Sequence, residues 1–104
     1  MTIRIRQGEL AEAVAEQLRY GNLLKLTAPV VASQLCMSSA TLRRHLREEK
    51  TTFISILNQV RWERIQKSGH TKYAAQLACS CGFNQPNSFL RWWRSETGHN
   101  WSER

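Results

Sequence analysis

The chain has 104 residues, which is enough for one compact domain or two very small ones. A hydrophobic content of 41% indicates a folded core rather than disorder, and a net charge of +7 favours an anionic partner such as nucleic acid or a membrane surface. No apolar run approaches the roughly 20 residues of a membrane-spanning helix and no signal-peptide core opens the chain, so we expect a cytoplasmic protein with no membrane partner.

The first part of the chain has apolar residues at helical spacing in three segments. A Gly-Asn pair ends the first segment, and Pro29 lies in the first turn of the second, where its missing N–H costs little. Ser38 or Ser39 can cap the third segment, in which Leu42 and Leu46 form an inner pair one turn apart. The predicted helices run over residues 9–19, 27–35 and 39–48.

The second part of the chain begins with a longer helical segment and continues with two shorter ones. Ser68-Gly69 ends the long segment, Gly82 lies in the turn between the shorter ones, and Pro86 opens the last. The predicted helices run from Thr52 or Phe53 to Lys67, from Thr71 to about Cys79, and from Pro86 to about Thr97. We therefore predict an all-α fold without a strand, and we put the number of helices at about seven although only these six segments are delimited.

Two segments of the chain match each other at a distance of 46 or 47 positions. Each segment has an alanine in an apolar run, then a break, then a run that reads apolar, any, Arg, any, bulky apolar, Arg. A helix that packs, followed by a helix with an apolar inner face and donors on its outer face, is the pattern of a helix-turn-helix. The matching pairs are Ala32 and Ala78, Leu42 and Phe89, Arg44 and Arg91, Leu46 and Trp93, and Arg47 and Arg94.

The second helix of each copy has the chemistry needed to contact DNA. Its run contains arginines and no acidic residue, and arginine can donate twice to guanine while asparagine pairs with adenine. Arg44 and Arg91 occupy equivalent places and are predicted to contact bases, whereas Arg47 and Arg94 should lie nearer phosphate. Exposed arginines on one amphipathic helix are most often only solvated, but two matching acid-free copies favour contact with DNA.

These residues resemble the DNA-binding domain of the AraC/XylS family over nearly the whole chain. The first half of that domain is matched by Ala32, Leu35, Ser38, Leu42, Arg44, Leu46, Thr52-Phe53 and Arg61. The second half is matched by Ala78, Cys81-Gly82-Phe83, Phe89, Arg91, Trp93, Arg94 and Gly98. The resemblance implies two helix-turn-helix subdomains, residues 1–51 and 69–104, joined by a linker helix over 52–68.

The resemblance also implies a function and a set of contacts. We expect a transcription regulator, more often an activator, that reads an asymmetric double-stranded site through two recognition helices in successive major-groove segments. A monomer suffices for such a site, RNA polymerase is a further candidate partner, and the protein would act at the nucleoid. The family's base-contacting places fall on Ala40, Arg43, Arg44, Pro86, Asn87, Ser88 and Arg91. The predicted DNA-contacting residues are Ser39, Ala40, Arg43, Arg44, Arg47, Asn87, Ser88, Arg91 and Arg94.

Several features depart from the family pattern and motivate rival functions. Lys50 stands where the family usually has glycine, Trp101 stands where proline is typical, and Ala40 and Pro86 lack side-chain donors. The connection after the linker helix is about two residues shorter than usual. One rival is therefore a protein-interaction module or antagonist that binds a related regulator or RNA polymerase with little DNA binding. A weaker rival is a single-strand binder that stacks bases on its four tryptophans.

The remaining polar and aromatic residues suggest structural roles. Trp93 should belong to the core, Trp92 should either face DNA or pack on a neighbouring subdomain, and Arg61 should make a structural pair, for instance with a helix C-terminus. His45 lies on the outer side of its helix and is a candidate for phosphate contact.

No catalytic or metal-binding chemistry is expected. The three cysteines, an odd number, predict reduced thiols, and small buried cysteines beside a turn explain them better than a metal site. There is no Asp, no Gly-rich phosphate loop and no nucleophile-base arrangement, so we predict a protein that is not an enzyme and needs no cofactor.

Overall fold

The computed structural model describes residues 9–68 and 74–101, and within these ranges it contains six α-helices and no strand. They are α1 (Glu9–Tyr20), α2 (Ala28–Gln34), α3 (Ser39–Glu48), α4 (Phe53–Lys67), α5 (Ala74–Ser80) and α6 (Pro86–Thr97). The all-α prediction is confirmed, with six helices in the described ranges instead of about seven, since each segment of helical spacing forms one helix. The predicted start of the fifth helix at Thr71 lies outside the described residues. None of the described helices is long and apolar enough to cross a membrane.

Side-chain caps fix where α3 and α4 begin. The Ser38 hydroxyl accepts a hydrogen bond from the backbone N–H of Thr41 at 3.1 Å, and the Thr52 hydroxyl accepts one from the N–H of Ser55 at 3.1 Å. Each hydroxyl satisfies an N–H that has no acceptor within its own helix. The starts of these two helices, one of them a predicted recognition helix, are therefore defined by the sequence itself.

The first hydrophobic core lies between α1, α2, α3 and the N-terminal half of α4. One side chain at its edge joins α3 to α1, because the Glu49 carboxylate accepts the backbone N–H of Ala11 at 2.9 Å. This bond satisfies an N–H donor in the first turn of α1. The negative carboxylate also interacts favourably with the positive end of the α1 helix dipole. The buried residues of this core are Leu10, Val14, Ala15, Leu18, Leu23, Val31, Ala32, Leu42, Leu46, Ile56 and Val60.

The second core lies between α5, α6 and the C-terminal half of α4, and it is rich in aromatic rings. Trp101 packs edge-on against Phe89 and Trp93, with ring centroids 5.3 Å and 4.6 Å away. Such edge-to-face pairs are favourable beyond the area they bury. Trp101, which departs from the family pattern, is therefore a core residue. The buried residues of this core are Ile65, Leu77, Ala78, Cys81, Phe89, Trp93 and Trp101.

Helix α4 contributes to both cores, so its buried residues do not form one stripe. Ile56 and Val60 belong to the first core, and Ile65 belongs to the second. A helix of 15 residues is about 22 Å long. The molecule measures 48 × 23 × 21 Å, and this elongation is consistent with two small cores that share a single helix.

The turns of the two helix-turn-helix units have the same backbone geometry. The second residue after the end of each first helix has a positive φ, 61° at Cys36 and 89° at Gly82. The N–H of the next residue donates to the carbonyl of Ala32 in one turn, at 3.0 Å, and of Ala78 in the other, at 2.8 Å. This is the 6→1 bond of a Schellman motif. Lys50, with φ 62°, occupies the corresponding place after α3.

A glycine at position 36 should stabilise the chain. Cys36 is exposed, so its thiol adds little packing, and a positive φ disfavours any residue with a Cβ. We expect Cys36→Gly to raise the free energy of unfolding by about 0.5 to 1 kcal/mol, measured by urea denaturation. Cys36→Ala is the matched control, since it removes the thiol and keeps the Cβ. Equal stabilisation by both variants would mean that the backbone conformation is not the cause.

Candidate nucleic-acid interface

Helix α3 separates an apolar inner face from a basic outer face. Leu42 and Leu46 are fully buried in the first core, as predicted for the inner pair. Ser39, in the first turn, is half-buried. The other members of the predicted DNA-contacting set on this helix are exposed, and they are Ala40, Arg43, Arg44 and Arg47.

Helix α6 repeats this arrangement in the second unit. Phe89 and Trp93 point into the aromatic core, which agrees with the core role predicted for Trp93. Ser88 is half-buried, as Ser39 is in the first unit. The exposed residues at the other predicted contact positions are Pro86, Asn87, Arg91 and Arg94.

The acidic side chains of α1 and α4 that form ion pairs do so with Arg19, away from α3 and α6. Arg19 on α1 forms ion pairs with Glu63 at 3.0 Å, Glu16 at 3.2 Å and Glu12 at 3.6 Å. The hydrogen bond that Arg19 donates to the Glu63 carboxylate is the main cause of the raised Arg19 pKa. Neither α3 nor α6 has an acidic residue in its first turn. Within the described residues, none of the ion pairs includes an exposed arginine of α3 or α6.

Each basic face borders a concave surface. A cleft of about 320 Å³ lies beside the C-terminal half of α3, and a cleft of about 680 Å³ lies beside α6. Concave basic surfaces of this kind suit a phosphate backbone, because one guanidinium group can donate two parallel hydrogen bonds to the oxygens of one phosphate. The first cleft is lined by Ala28, Arg43, Arg47, Thr51, Thr52, Phe53 and Ile54. The second is lined by Ala74, Asn87, Leu90, Arg91, Arg94, Asn100 and Trp101. Four of the predicted DNA-contacting residues line neither cleft, and they are Ser39, Ala40, Arg44 and Ser88.

The histidine of α3 has a partner on its own helix. His45 is half-buried, and its Nδ1 lies 3.4 Å from a carboxylate oxygen of Glu48. A histidine beside a carboxylate is a poorer candidate for a phosphate contact than the exposed arginines of the same helix. We therefore leave His45 out of the interface.

Trp92, for which the sequence leaves two roles open, packs against α4. Its Nε1 donates to the side-chain oxygen Oδ1 of Asn58 at 3.0 Å, and its ring lies 5.9 Å from the ring of Trp62. A half-buried ring with these partners is held on the protein rather than presented as a free stacking surface. Trp92 therefore does not face DNA, and it packs on the linker helix α4 instead of on a neighbouring subdomain.

Arg61 has the structural role that the sequence predicts for it. Its side chain is 8% exposed, and its Nε donates to the carbonyl oxygen of Cys81, just beyond the end of α5, at 2.9 Å. Its guanidinium lies 4.2 Å from the centroid of the Phe83 ring, which is a cation–π distance. Burial lowers the pKa of Arg61. The residue therefore joins α4 to the second unit and does not face solvent.

The cysteines only partly match the expectation of buried thiols. Cys81 is buried, and burial raises its pKa to about 11. Cys36 and Cys79 are exposed, so the prediction is wrong for them. Cys36 lies in the turn, and Cys79 lies on the open side of the short helix α5. Among residues 9–68 and 74–101, no group of three or more His, Cys, Asp or Glu side chains is placed to hold a metal ion.

Two polar residues of α4 were missed by the sequence analysis. Asn58 accepts hydrogen bonds from Arg61 and Trp92 through Oδ1 and donates to Glu96, so it fixes α6 on α4. Arg64 donates to four backbone carbonyls from two other helices and an adjoining loop. Neither residue has a sequence signature, because a polar residue on a helix is ordinarily solvated.

Comparisons with known proteins agree with this arrangement. A family model described as a helix-turn-helix domain matches residues 31–103, which include α3 and α6. The chain is also similar to a solved structure described as a DNA-binding transcriptional dual regulator from Escherichia coli K-12. The TM-score is 0.76 and the sequence identity 25%, over 90% of this chain and 92% of that chain. A comparison with curated protein sequences gave no match.

Proposed function

Because the chain belongs to the AraC-type helix-turn-helix family of DNA-binding transcription regulators, we propose that it reads one asymmetric double-stranded site through α3 and α6. The chain is a regulator rather than an enzyme. The proposal rests mainly on the equivalence of the two units. Both have the same positive-φ turn, two buried residues on the inner face of the second helix, and exposed arginines on its outer face.

We divide the residues on the outer faces of α3 and α6 into those that contact bases and those that contact phosphate. Recognition helices contact bases with residues near their N-termini, so we assign base contacts to the residues in the first two turns of α3 and α6. Ala40 can contact a thymine methyl group, although it cannot donate a hydrogen bond. The residues assigned to bases are Ala40, Arg43, Arg44, Asn87, Ser88 and Arg91. Ser39, Arg47 and Arg94 are assigned to the phosphate backbone.

The size of the molecule supports simultaneous binding of both helices. Successive major-groove segments on one face of DNA lie about 34 Å apart. The long dimension of the molecule is 48 Å, which exceeds this distance. A single chain can therefore reach both segments, and because α3 and α6 differ in sequence the site would be asymmetric. Dimerisation is not required by this proposal.

We also propose how the chain is divided into subdomains and how the protein regulates transcription. We assign residues 1–51 and 69–104 to the two subdomains and 52–68 to the linker helix. We propose that the regulator acts at the nucleoid in the cytoplasm, that it more often activates than represses, and that RNA polymerase is a partner when it activates. A transcription assay with purified polymerase and a template containing the selected site would test whether the protein activates and whether RNA polymerase is its partner.

Selection of duplexes from a random-sequence pool tests the central proposal. We expect an asymmetric consensus with two separated elements, bound by one chain at least about a thousandfold more tightly than scrambled DNA. Because phosphate contacts release counterions, affinity should fall steeply between two salt concentrations in an anisotropy titration. A palindromic consensus bound by two chains, or no preference over scrambled DNA, would contradict the proposal.

The same titration addresses the rival functions. A protein-interaction module would show weak binding without sequence preference, and it would use exposed apolar residues such as Val30 and Ile54, which are 39% and 54% exposed. A single-strand binder would prefer a single strand over the duplex. The geometry gives that rival little support, because all four tryptophans are buried or packed against the second core.

A further inference from the structure

Arg64 of α4 hydrogen-bonds the end of the first helix of the chain. One terminal nitrogen, Nη2, donates to the carbonyl oxygens of Leu18 at 3.0 Å, Arg19 at 3.2 Å and Gly21 at 2.7 Å. The carbonyl oxygens in the last turn of α1 accept no hydrogen bond from an N–H of their own helix, so they need a donor from outside it. The negative end of the helix dipole favours a cation at this place.

The other terminal nitrogen of Arg64 reaches the second unit. Nη1 donates to the carbonyl oxygen of Ser80, the last residue of α5, at 2.5 Å. One guanidinium therefore lies between the C-terminal ends of α1 and α5, which pack in different cores. Arginine suits this position because its planar fork presents donors in two directions, whereas a lysine ammonium is a compact point charge.

A second contact lies beside this guanidinium. A Cβ placed on Gly82 would lie 2.9 Å from the Cβ of Leu23 and 3.1 Å from its carbonyl oxygen. The turn of the second helix-turn-helix unit therefore touches the loop between α1 and α2. The two units thus meet directly, in addition to sharing α4.

We propose that Arg64 is a positioning residue that sets the orientation of α3 relative to α6, and so sets the separation between DNA elements that the chain accepts. This inference rests on the proposed function for its consequence on DNA, but the junction itself does not depend on DNA. Adding one base pair moves one element by about 3.4 Å along the helix axis and rotates it around that axis. A fixed orientation of the two readers would therefore discriminate between separations.

The junction is tested first without DNA. Residual dipolar couplings of the full ¹⁵N-labelled chain should fit one alignment tensor for both units in the wild type. In Arg64→Met, which keeps a flexible stem and good helix propensity, we expect the two units to require different tensors. Lys67→Met is the matched control, because it removes the same charge from an exposed position one turn further on and should leave a single tensor. A single unchanged tensor in Arg64→Met would overturn the proposal.

The consequence for DNA is tested with duplexes that the wild type selects from the random pool. The probes contain the two elements at the selected separation, at separations changed by one or two base pairs, or one element alone. We expect Arg64→Met to lose about tenfold in affinity at the selected separation, to lose little on one element, and to discriminate less between separations. Arg64→Lys should behave like Arg64→Met, because it keeps the charge and loses the fork.

The outcomes separate this inference from the proposed function. An equal loss on every duplex would show that Arg64 acts only through its charge, and unchanged discrimination between separations would also overturn the inference. If the wild type selected no duplex at all, the proposed function would fail while the dipolar couplings would still decide whether the junction exists. Circular dichroism of both Arg64 variants establishes that each is folded before either result is interpreted.

Discussion

Replacing Arg44 with alanine should weaken binding to the selected duplex by about 1 to 3 kcal/mol and relax the sequence preference at one base pair. Arg44 is exposed on the outer face of α3, in the same place as Arg91 on α6. The affinity for scrambled DNA should change much less, because a base contact adds little to non-specific binding.

Arg47→Ala is the matched control for this prediction. It removes the same side chain from the same helix, but we assign Arg47 to phosphate. It should weaken binding to selected and scrambled DNA alike, and it should reduce the slope of log affinity against log salt by about one. Fluorescence anisotropy on both duplexes at several salt concentrations measures both effects. If Arg44→Ala lowered the affinity for both duplexes equally, Arg44 would not be a base reader.

Helices, turns and the inner faces of the two units could be predicted from the sequence because local signals determine them. The Ser38 hydroxyl, one of the two predicted candidates, caps α3, and the Thr52 hydroxyl caps α4 where that helix was predicted to begin. The repeat places Leu42 and Phe89 at equivalent positions, and both are fully buried. Even the structural role of Arg61 followed from its place in the family pattern. Apart from Arg61, each of these features depends on residues close together in the sequence or on a pattern repeated within it.

Features that depend on contacts between distant parts of the chain, or on which side of a short helix is covered, could not be predicted. Arg64 looks like an ordinary solvated residue of a helix until α1 and α5 bring their carbonyls within its reach. Trp92 had two open roles because its partner Asn58 is 34 positions away. Cys79 was expected to be buried, but it lies on the open side of a helix of only seven residues, which has one buried stripe. Contacts of this kind have no periodicity.

The stability of the aromatic second core should depend strongly on the ring of Phe89. Phe89 is fully buried and packs edge-on against Trp101 at 5.3 Å and Phe83 at 6.0 Å. Phe89→Ala removes a fully buried ring that also lies 6.0 Å from the ring of Trp92, so we expect it to lower the free energy of unfolding by about 3 to 5 kcal/mol. Small domains have only about 5 to 15 kcal/mol of stability, so the second unit should be close to unfolding in this variant.

The distribution of tryptophans allows this loss to be assigned to one unit. All four tryptophans are buried in the second core or packed against it, so their fluorescence reports that unit, whereas far-ultraviolet circular dichroism reports the helices of both. The two cores share no buried side chain and are linked through α4 and the Arg64 junction. In urea, Phe89→Ala should therefore shift the fluorescence midpoint more than the dichroism midpoint. Leu42→Ala, a cavity variant in the first core, should do the reverse. Coincident shifts of both probes in both variants would mean that the two cores unfold as one cooperative unit.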